Sequence, residues 1–524
     1  MKQLFKLFKG GAIAAMALMI SACSSNDLEE TALQPNNKAE GIPFTATIRV
    51  GESATTRALI EDGATIVPSW AEGDKVALIH GSINDEMTVS SVSDGVATIT
   101  GNITGSPADG DAVTIIYPSS AADGATGNVK ADLLTNQDGT LATIAKNYDV
   151  RKGTGTLNVG TTATLRGNVS LENQYAIVKF ITKNYDGSAD INVSPLTITI
   201  GTQLYTITPA SATNVLYAAL PAVSSQTVSF SGTVGSMPYL YSKAGVSFDA
   251  GKYYQSTLKM LPEGAIPGKF TVNSSGKKVY FSQGNLQATT SDSGANWTWA
   301  FAINQWDIVG NGSVANISIN GNGTISGTGT VDLFAWSTPA TYYGIHNSTN
   351  DADYNGDFRD WGTLAINNGG NTADNGWRTL TNDEWYYLLS IRKVTVNSEA
   401  KYPFGRGNVE GKKGFIILPD NWDGSVHDGF VYGNVIGWSN VYSSTSTPTW
   451  AQMEAAGCVF LPLAGLGLPA SYASYYSGDA IYWSSTLNSE IKSYGWGFSE
   501  YLFSQQEAYD RYIGNSVRLV RDAE

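Results

Sequence analysis

The sequence predicts a mainly β protein, with β-sandwiches joined by Greek-key connections and an α+β region at the C-terminal end. Three observations carry this. Short alternating or β-branched runs recur through the first half, each bounded by turn residues: Phe44-Thr45-Ala46-Thr47-Ile48-Arg49-Val50, Val76-Ala77-Leu78-Ile79, Ala112-Val113-Thr114-Ile115-Ile116-Tyr117 and Ala176-Ile177-Val178-Lys179-Phe180-Ile181. Of 524 residues 56 are glycine and only 15% are charged, a mix suited to extracellular β structure with many turns. Of the 13 tryptophans, Trp70 alone precedes residue 262 and the rest lie between Trp297 and Trp496, so the chain changes character there.

The first 23 residues read as a bacterial lipoprotein signal peptide. Lys2, Lys6 and Lys9 form a basic start, Ala12 to Ile20 is apolar, and Ser21-Ala22 stand before Cys23, the residue placed to take lipid. The apolar run is too short to span a bilayer as a mature helix. Ser24-Ser25-Asn26-Asp27-Leu28-Glu29-Glu30 resembles the acidic signal that sends some lipoproteins to the outer face of the outer membrane. The expected location is therefore the cell surface, and 24–41, polar and without periodicity, reads as a tether.

Length suggests about three domains. A net charge of -14 argues against nucleic acid as a partner, which would require a basic face. With Cys23 committed to lipid, Cys458 has no intrachain partner, and its apolar setting reads as a buried hydrophobe. A Gly/Thr-rich break near 152–162 divides the β half into 42–155 and 156–261. The Pro/Gly-rich stretch 262–268 reads as a linker, followed by 269–524.

Thr55-Thr56-Arg57-Ala58 and Trp70-Ala71-Glu72-Gly73-Asp74-Lys75-Val76 resemble the start of the fimbrillin-like pilin family. Val215-Leu216-Tyr217-Ala218-Ala219-Leu220-Pro221 and Phe248-Asp249-Ala250-Gly251-Lys252-Tyr253-Tyr254 resemble the close of its second domain. The resemblance implies two tandem transthyretin-like sandwiches in a lipid-anchored pilus precursor. It also implies cleavage between Arg57 and Ala58 by a trypsin-like protease. That cut would release the strand containing Phe44–Val50 and open a groove that a neighbouring subunit's strand fills. The alternative is an uncut loop arginine.

In the last region, Thr381 and Glu384 have capping-box spacing, and Trp385, Leu388 and Leu389 share one helix face. The Trp377–Leu389 block resembles the C-type-lectin-like fold, in the branch related to formylglycine-generating enzymes and a bacterial surface paralogous domain. So do Gly414-Phe415-Ile416-Ile417-Leu418-Pro419, Val459–Gly465, Tyr482-Trp483-Ser484-Ser485-Thr486 and Asn515–Arg521. The enzymes of that branch use a cysteine pair, which this chain lacks. No metal-spaced histidines, nucleophile elbow or phosphate loop occur either, so the expectation is a non-enzyme.

Asp351, Asp353, Asn355 and Asp357, with Gly356 at the sixth position, match the first half of a calcium loop. Position twelve is Gly362 rather than glutamate, and Arg359 adds positive charge, so an Asx-rich turn is the ordinary reading of the segment and calcium the alternative. No cofactor other than calcium is implied. Trp377, Trp385, Trp483 and Trp496 fall in core-like patterns. Trp422, Asp423, Tyr472, Tyr475 and Tyr476 fall in loop-like segments and are the candidates for contact with an extracellular ligand, glycan or protein.

These readings converge on a pilus subunit, at the tip, that accepts a strand from other subunits and displays a binding domain. The rivals are a lipid-anchored glycan-binding protein that does not polymerise, a basal pilus anchor, and an enzyme of the formylglycine-generating branch.

Overall fold

The computed structural model describes residues 41–49, 60–62, 65–67, 70–309, 318–319, 325–345, 350–433, 438, 441–445, 447–468, 471–475, 478–499 and 503–523. The protein is mainly β, as its sequence predicts. Among the described residues no helix is long and apolar enough to cross a membrane.

The first unit holds β1 (Ile42–Arg49), β2 (Lys75–His80), β3 (Ile83–Ser93), β4 (Val96–Ile103), β5 (Ala112–Tyr117), β6 (Arg151–Val159), β7 (Ala163–Leu165), β8 (Val169–Ser170) and β9 (Glu172–Asn173). Neighbours run β1–β4–β3–β2–β5–β6; β6 pairs back to β7, and β7 pairs with β1. The sheet thus closes into a ring, and β1 is the strand that closes it. Closure removes exposed edges and encloses one core of alternating inward side chains.

The expected boundary at 155/156 falls inside β6, and β7 to β9 stay in the first sheet. The change of sheet comes between Asn173 and Tyr175. The Gly/Thr-rich stretch is a strand and its turn, because Gly153 and Gly155 admit another strand at close range. A Cβ on Gly153 would lie 2.5 Å from the Ser170 carbonyl, and one on Gly155 would lie 2.8 Å from Val169.

The second unit has β10 (Tyr175–Asn184), β11 (Leu196–Ile200), β12 (Gln203–Ile207), β13 (Val215–Pro221), β14 (Val223–Val234), β15 (Met237–Phe248) and β16 (Tyr253–Pro262). Their order is β13–β10–β16–β15–β14–β11–β12. β10 alternates strictly, with Ala176, Val178 and Phe180 in the core. It runs parallel to β16. A first-unit excursion, the two-residue strand Asn136–Gln137, adds to the β12 edge. Gln137 Nε2 donates to the Ala219 carbonyl at 2.8 Å, and its Oε1 accepts from the Ala219 amide at 2.8 Å.

The third region follows directly from β16. Its elements include β17 (Lys278–Phe281), β18 (Trp377–Thr379), α1 (Asn382–Tyr386), β19 (Phe404–Val409), β20 (Lys412–Ile417), α2 (Trp450–Ala455), β21 (Val459–Pro462), β22 (Asp479–Leu487), β23 (Lys492–Ser499) and β24 (Leu519–Asp522). β24 lies between β17 and β18, so the last described strand is paired on both edges beside the region's beginning. α1 starts at the Thr381/Glu384 capping box. Trp385, Leu388 and Leu389 bury their shared face with Phe270, Phe281 and Trp496.

Candidate functional site

The site is β1 and the slot it fills. Its sequence alternates, so Phe44, Ala46 and Ile48 point inward while Pro43, Thr45 and Arg49 are exposed. Phe44 and Ile48 are at most 2% exposed and pack with Val76, Met87, Ile99, Leu157 and Val169. Pro43 stands at the strand's start, where a missing N–H is tolerated.

Two different walls hold β1. On one side it pairs antiparallel with β4 along its whole length, from Ile42 opposite Ile103 to Arg49 opposite Val96. On the other it runs parallel to short strands: Phe44 beside Ala163, Ile48 beside Val169. There the Thr47 hydroxyl donates to Asn168 Oδ1 at 2.6 Å. The slot is therefore a continuous ladder facing a discontinuous one, over a floor with places for a large, a small and a branched side chain.

Beside the slot, the Trp70–Val76 motif builds a corner. Trp70 is buried, edge-on to Tyr117 at 4.7 Å and beneath the Arg151 guanidinium at 5.7 Å. Asp74 Oδ2 accepts from the Ala71 amide at 2.9 Å and from the Tyr117 hydroxyl at 3.2 Å. Arg151 pairs with Asp149 at 2.6 Å. Burial, then the Asp74 and Asp149 charges, push the Tyr117 hydroxyl far above its ordinary range. The motif is a structural corner that locks β2, β5 and β6. The Phe248–Tyr254 motif is likewise a turn: Gly251 has φ 74°, and the Tyr254 hydroxyl accepts from the Asp249 amide at 2.9 Å.

Of the processing residues, Cys23, Arg57 and Ala58 lie outside the described residues. So do Tyr476 and the side chains of Tyr472, Tyr475 and Asp351; the segment Ser471–Tyr475 is a strand. Trp422 corrects the sequence reading. It is 4% exposed, edge-on to Phe430, and its Nε1 donates to the Tyr432 hydroxyl at 3.0 Å, so no ring face is offered to a ligand. The turn signals around it mark only the backbone, and the indole folds back into the core. Asp423 is exposed, and the Ser425 hydroxyl and amide hold its carboxyl below the ordinary range.

The Asp351–Tyr354 segment is a tight helical turn whose N-cap Asn350 accepts from the Ala352 amide at 3.2 Å, and Asn350 Nδ2 donates to Asp353 at 3.4 Å. Asn355 caps its far end, and Asp357 is exposed. Among the described residues no group of three or more His, Cys, Asp or Glu could hold a metal ion. This geometry favours the Asx-rich turn. Trp377, Trp385, Trp483 and Trp496 are all buried. Cys458 is fully buried, and burial pushes its thiol well up.

Sequence reasoning missed the slot's second wall. Ala163, Val169 and Leu171 lie more than 100 residues from β1, and the boundary at 155/156 assigned them to another domain. The available signal was Gly153 and Gly155, glycines at alternate positions of a strand, which mark a close backbone approach.

No family model and no curated protein matches the chain. Solved structures do resemble it. A candidate cell adhesion protein from Bacteroides ovatus aligns at 12% identity, over 42% of this chain and 96% of its own, with a TM-score of 0.27. A fimbrial protein from the same species aligns at 11% identity over 92% of this chain and 99% of its own, with a TM-score of 0.20. A shaft pilin from Lactobacillus rhamnosus aligns at 9% identity over 43% of this chain and 98% of its own, with a TM-score of 0.20. None of these similarities places the chain in a family, and its function is argued from its own residues.

Proposed function

We propose that this chain is a non-enzymatic, cell-surface pilus subunit at the filament tip. It is made as a lipoprotein anchored through Cys23, then cut between Arg57 and Ala58. The observation that carries this reading is that β1 closes the first unit's ring and lies wholly before Arg57. A cut there detaches the lipid and β1 together and leaves β4 facing β7 and β8 across an open slot.

The open slot is costly. Each large side chain removed from the floor forfeits about 1.5–3 kcal/mol of burial, and the edge of β4 loses its hydrogen-bonding partners. A strand from another subunit offsets both losses by β-augmentation. The last described strand, β24, is paired on both edges, between β17 and β18. We place this strand-accepting chain at the distal end, with its third region displayed outward to an extracellular ligand.

The test is the N-terminus of the protein recovered from the surface of its own cells, read by mass spectrometry. Ala58 at the start supports strand release. Lipidated Cys23 at the start, with the slot still filled by β1, overturns it and favours a basal anchor or a glycan-binding lipoprotein that does not polymerise. Arg57→Ala should abolish the Ala58 terminus.

A further inference from the structure

Far from the slot, a cleft of about 600 Å³ opens on the outer face of the second sheet, where β16 runs into the third region. Two cross-strand rows make its floor. In one, Ser229 stands between Thr199 and Ser242; in the next, Leu240 stands between Ser231 and Leu261. The Ser229 and Ser242 hydroxyls are 3.1 Å apart. Tyr185 and Glu263 complete the walls, and both Tyr185 and Leu240 are more than a third exposed.

Glu263 is the unusual member. Its backbone continues the β15–β16 ladder, the amide donating to the Pro238 carbonyl at 2.9 Å. Its side chain is only partly exposed and makes no hydrogen bond or ion pair among the described residues. Burial raises its carboxyl above the ordinary range. Lys259, four residues earlier on the same face and roughly 13 Å away along the strand, also lines the cleft, so one base and one acid stand at its two ends and give it no net charge.

The walls select a ligand class. Serine and threonine hydroxyls both donate and accept, and a lone carboxylate accepts from neighbouring hydroxyls. Leu240, Leu261 and the Tyr185 ring supply apolar contact for C–H faces. A purely apolar ligand would bury these hydroxyls unpaired, at about 1–3 kcal/mol each. An anionic ligand would meet Glu263. We infer that this cleft binds a neutral oligosaccharide, independently of the strand slot in the first unit.

The experiment applies the full mature chain to an array of neutral gluco-, manno-, galacto- and N-acetylglucosamine-linked oligosaccharides, with sialylated and sulfated chains alongside. Titration calorimetry with the best neutral hit follows. Binding to neutral chains should fall at least tenfold in Glu263→Ala and in Tyr185→Ala, with melting temperatures little changed because neither side chain belongs to the hydrophobic core. Silence across the neutral chains, preference for the acidic ones, or neutral binding unmoved by both substitutions overturns the assignment. The cleft shares no residue with β1, so the outcome is separate from that of the N-terminal measurement.

Discussion

The amide of Leu171 donates to the carbonyl of Arg49 at 3.1 Å, tying the end of β1 to the segment that enters β9. Among the described residues, the pairings and contacts that hold β1 fall between residues 42 and 49. A single side chain in that span can therefore be tested in two forms of the protein.

Phe44→Ala should destabilise the first unit of the uncut chain by about 3–5 kcal/mol, the usual range for a buried aromatic truncated to alanine. In a chain that begins at Ala58 the substitution no longer exists. Denaturant unfolding of the uncut variant should show a lower midpoint for the first unit. Material cut after Arg57 should be indistinguishable from the cut wild type. A full-length variant with an unchanged midpoint would mean that Phe44 does not anchor β1.

Gln137 ties the first unit to the second by a two-way amide contact with Ala219. Gln137→Ala leaves a buried N–H and a buried C=O on Ala219 without their partner, at about 1–3 kcal/mol each. Both ends of the contact join separate units, so the substitution should uncouple them as well as weaken them. Calorimetry should resolve two transitions where the wild type shows a more concerted one.

How much of this was legible depended on range along the chain. β1, the Thr381–Glu384 cap and the buried tryptophans of α1 and β22 follow from patterns a few residues long, and each is where its pattern puts it. The ring closure is different in kind: Phe44 beside Ala163 and Ile48 beside Val169 are parallel pairings across more than a hundred residues, and no local period reports them. The same limit misplaced the first boundary and put Trp422 on the surface. Turn residues declare where a backbone bends, but not whether a large ring then folds back into the core.

The seam between the second unit and the third region carries a pH-sensitive clasp. Lys269 Nζ is 2.8 Å from Asp186. Partial burial acts to raise the Asp186 carboxyl, but hydrogen bonds from Lys269 and Ser188 outweigh it and hold the group at about 2, against an ordinary 3.8. A depressed acid stabilises the fold above its ordinary value and loses that contribution as pH falls from 3.8 to about 2. The Asp186 side chain is 44% exposed, so the contribution after solvent screening is below about 1 kcal/mol. Lys269→Ala should move the Asp186 titration, read by carboxyl carbon NMR, upward toward 3.8. Wild type and variant should converge in stability at the acid end of that window.

Tyr342 and Tyr343 are successive residues with positive φ, 41° and 57°, a conformation that costs a non-glycine residue roughly 1–2 kcal/mol. Their side chains differ in what they give back. Tyr342 is 50% exposed. Tyr343 is buried against Trp299, lies beneath Arg359 at 4.1 Å and hydrogen-bonds Thr363 at 3.0 Å, while its carbonyl accepts from Trp361 Nε1 at 2.7 Å. Tyr343 thus forces the strained turn, and Tyr342 rides on it. Tyr342→Gly should raise the stability of the third region by up to about 1 kcal/mol, because relief of strain exceeds the entropy glycine adds to the unfolded chain. Tyr343→Gly relieves similar strain but deletes a buried aromatic, and should lower stability by about 3 kcal/mol. Thermal melts of the two variants should therefore shift in opposite directions. A shared direction would show that the turn is set by its backbone bonds rather than by the Tyr343 ring.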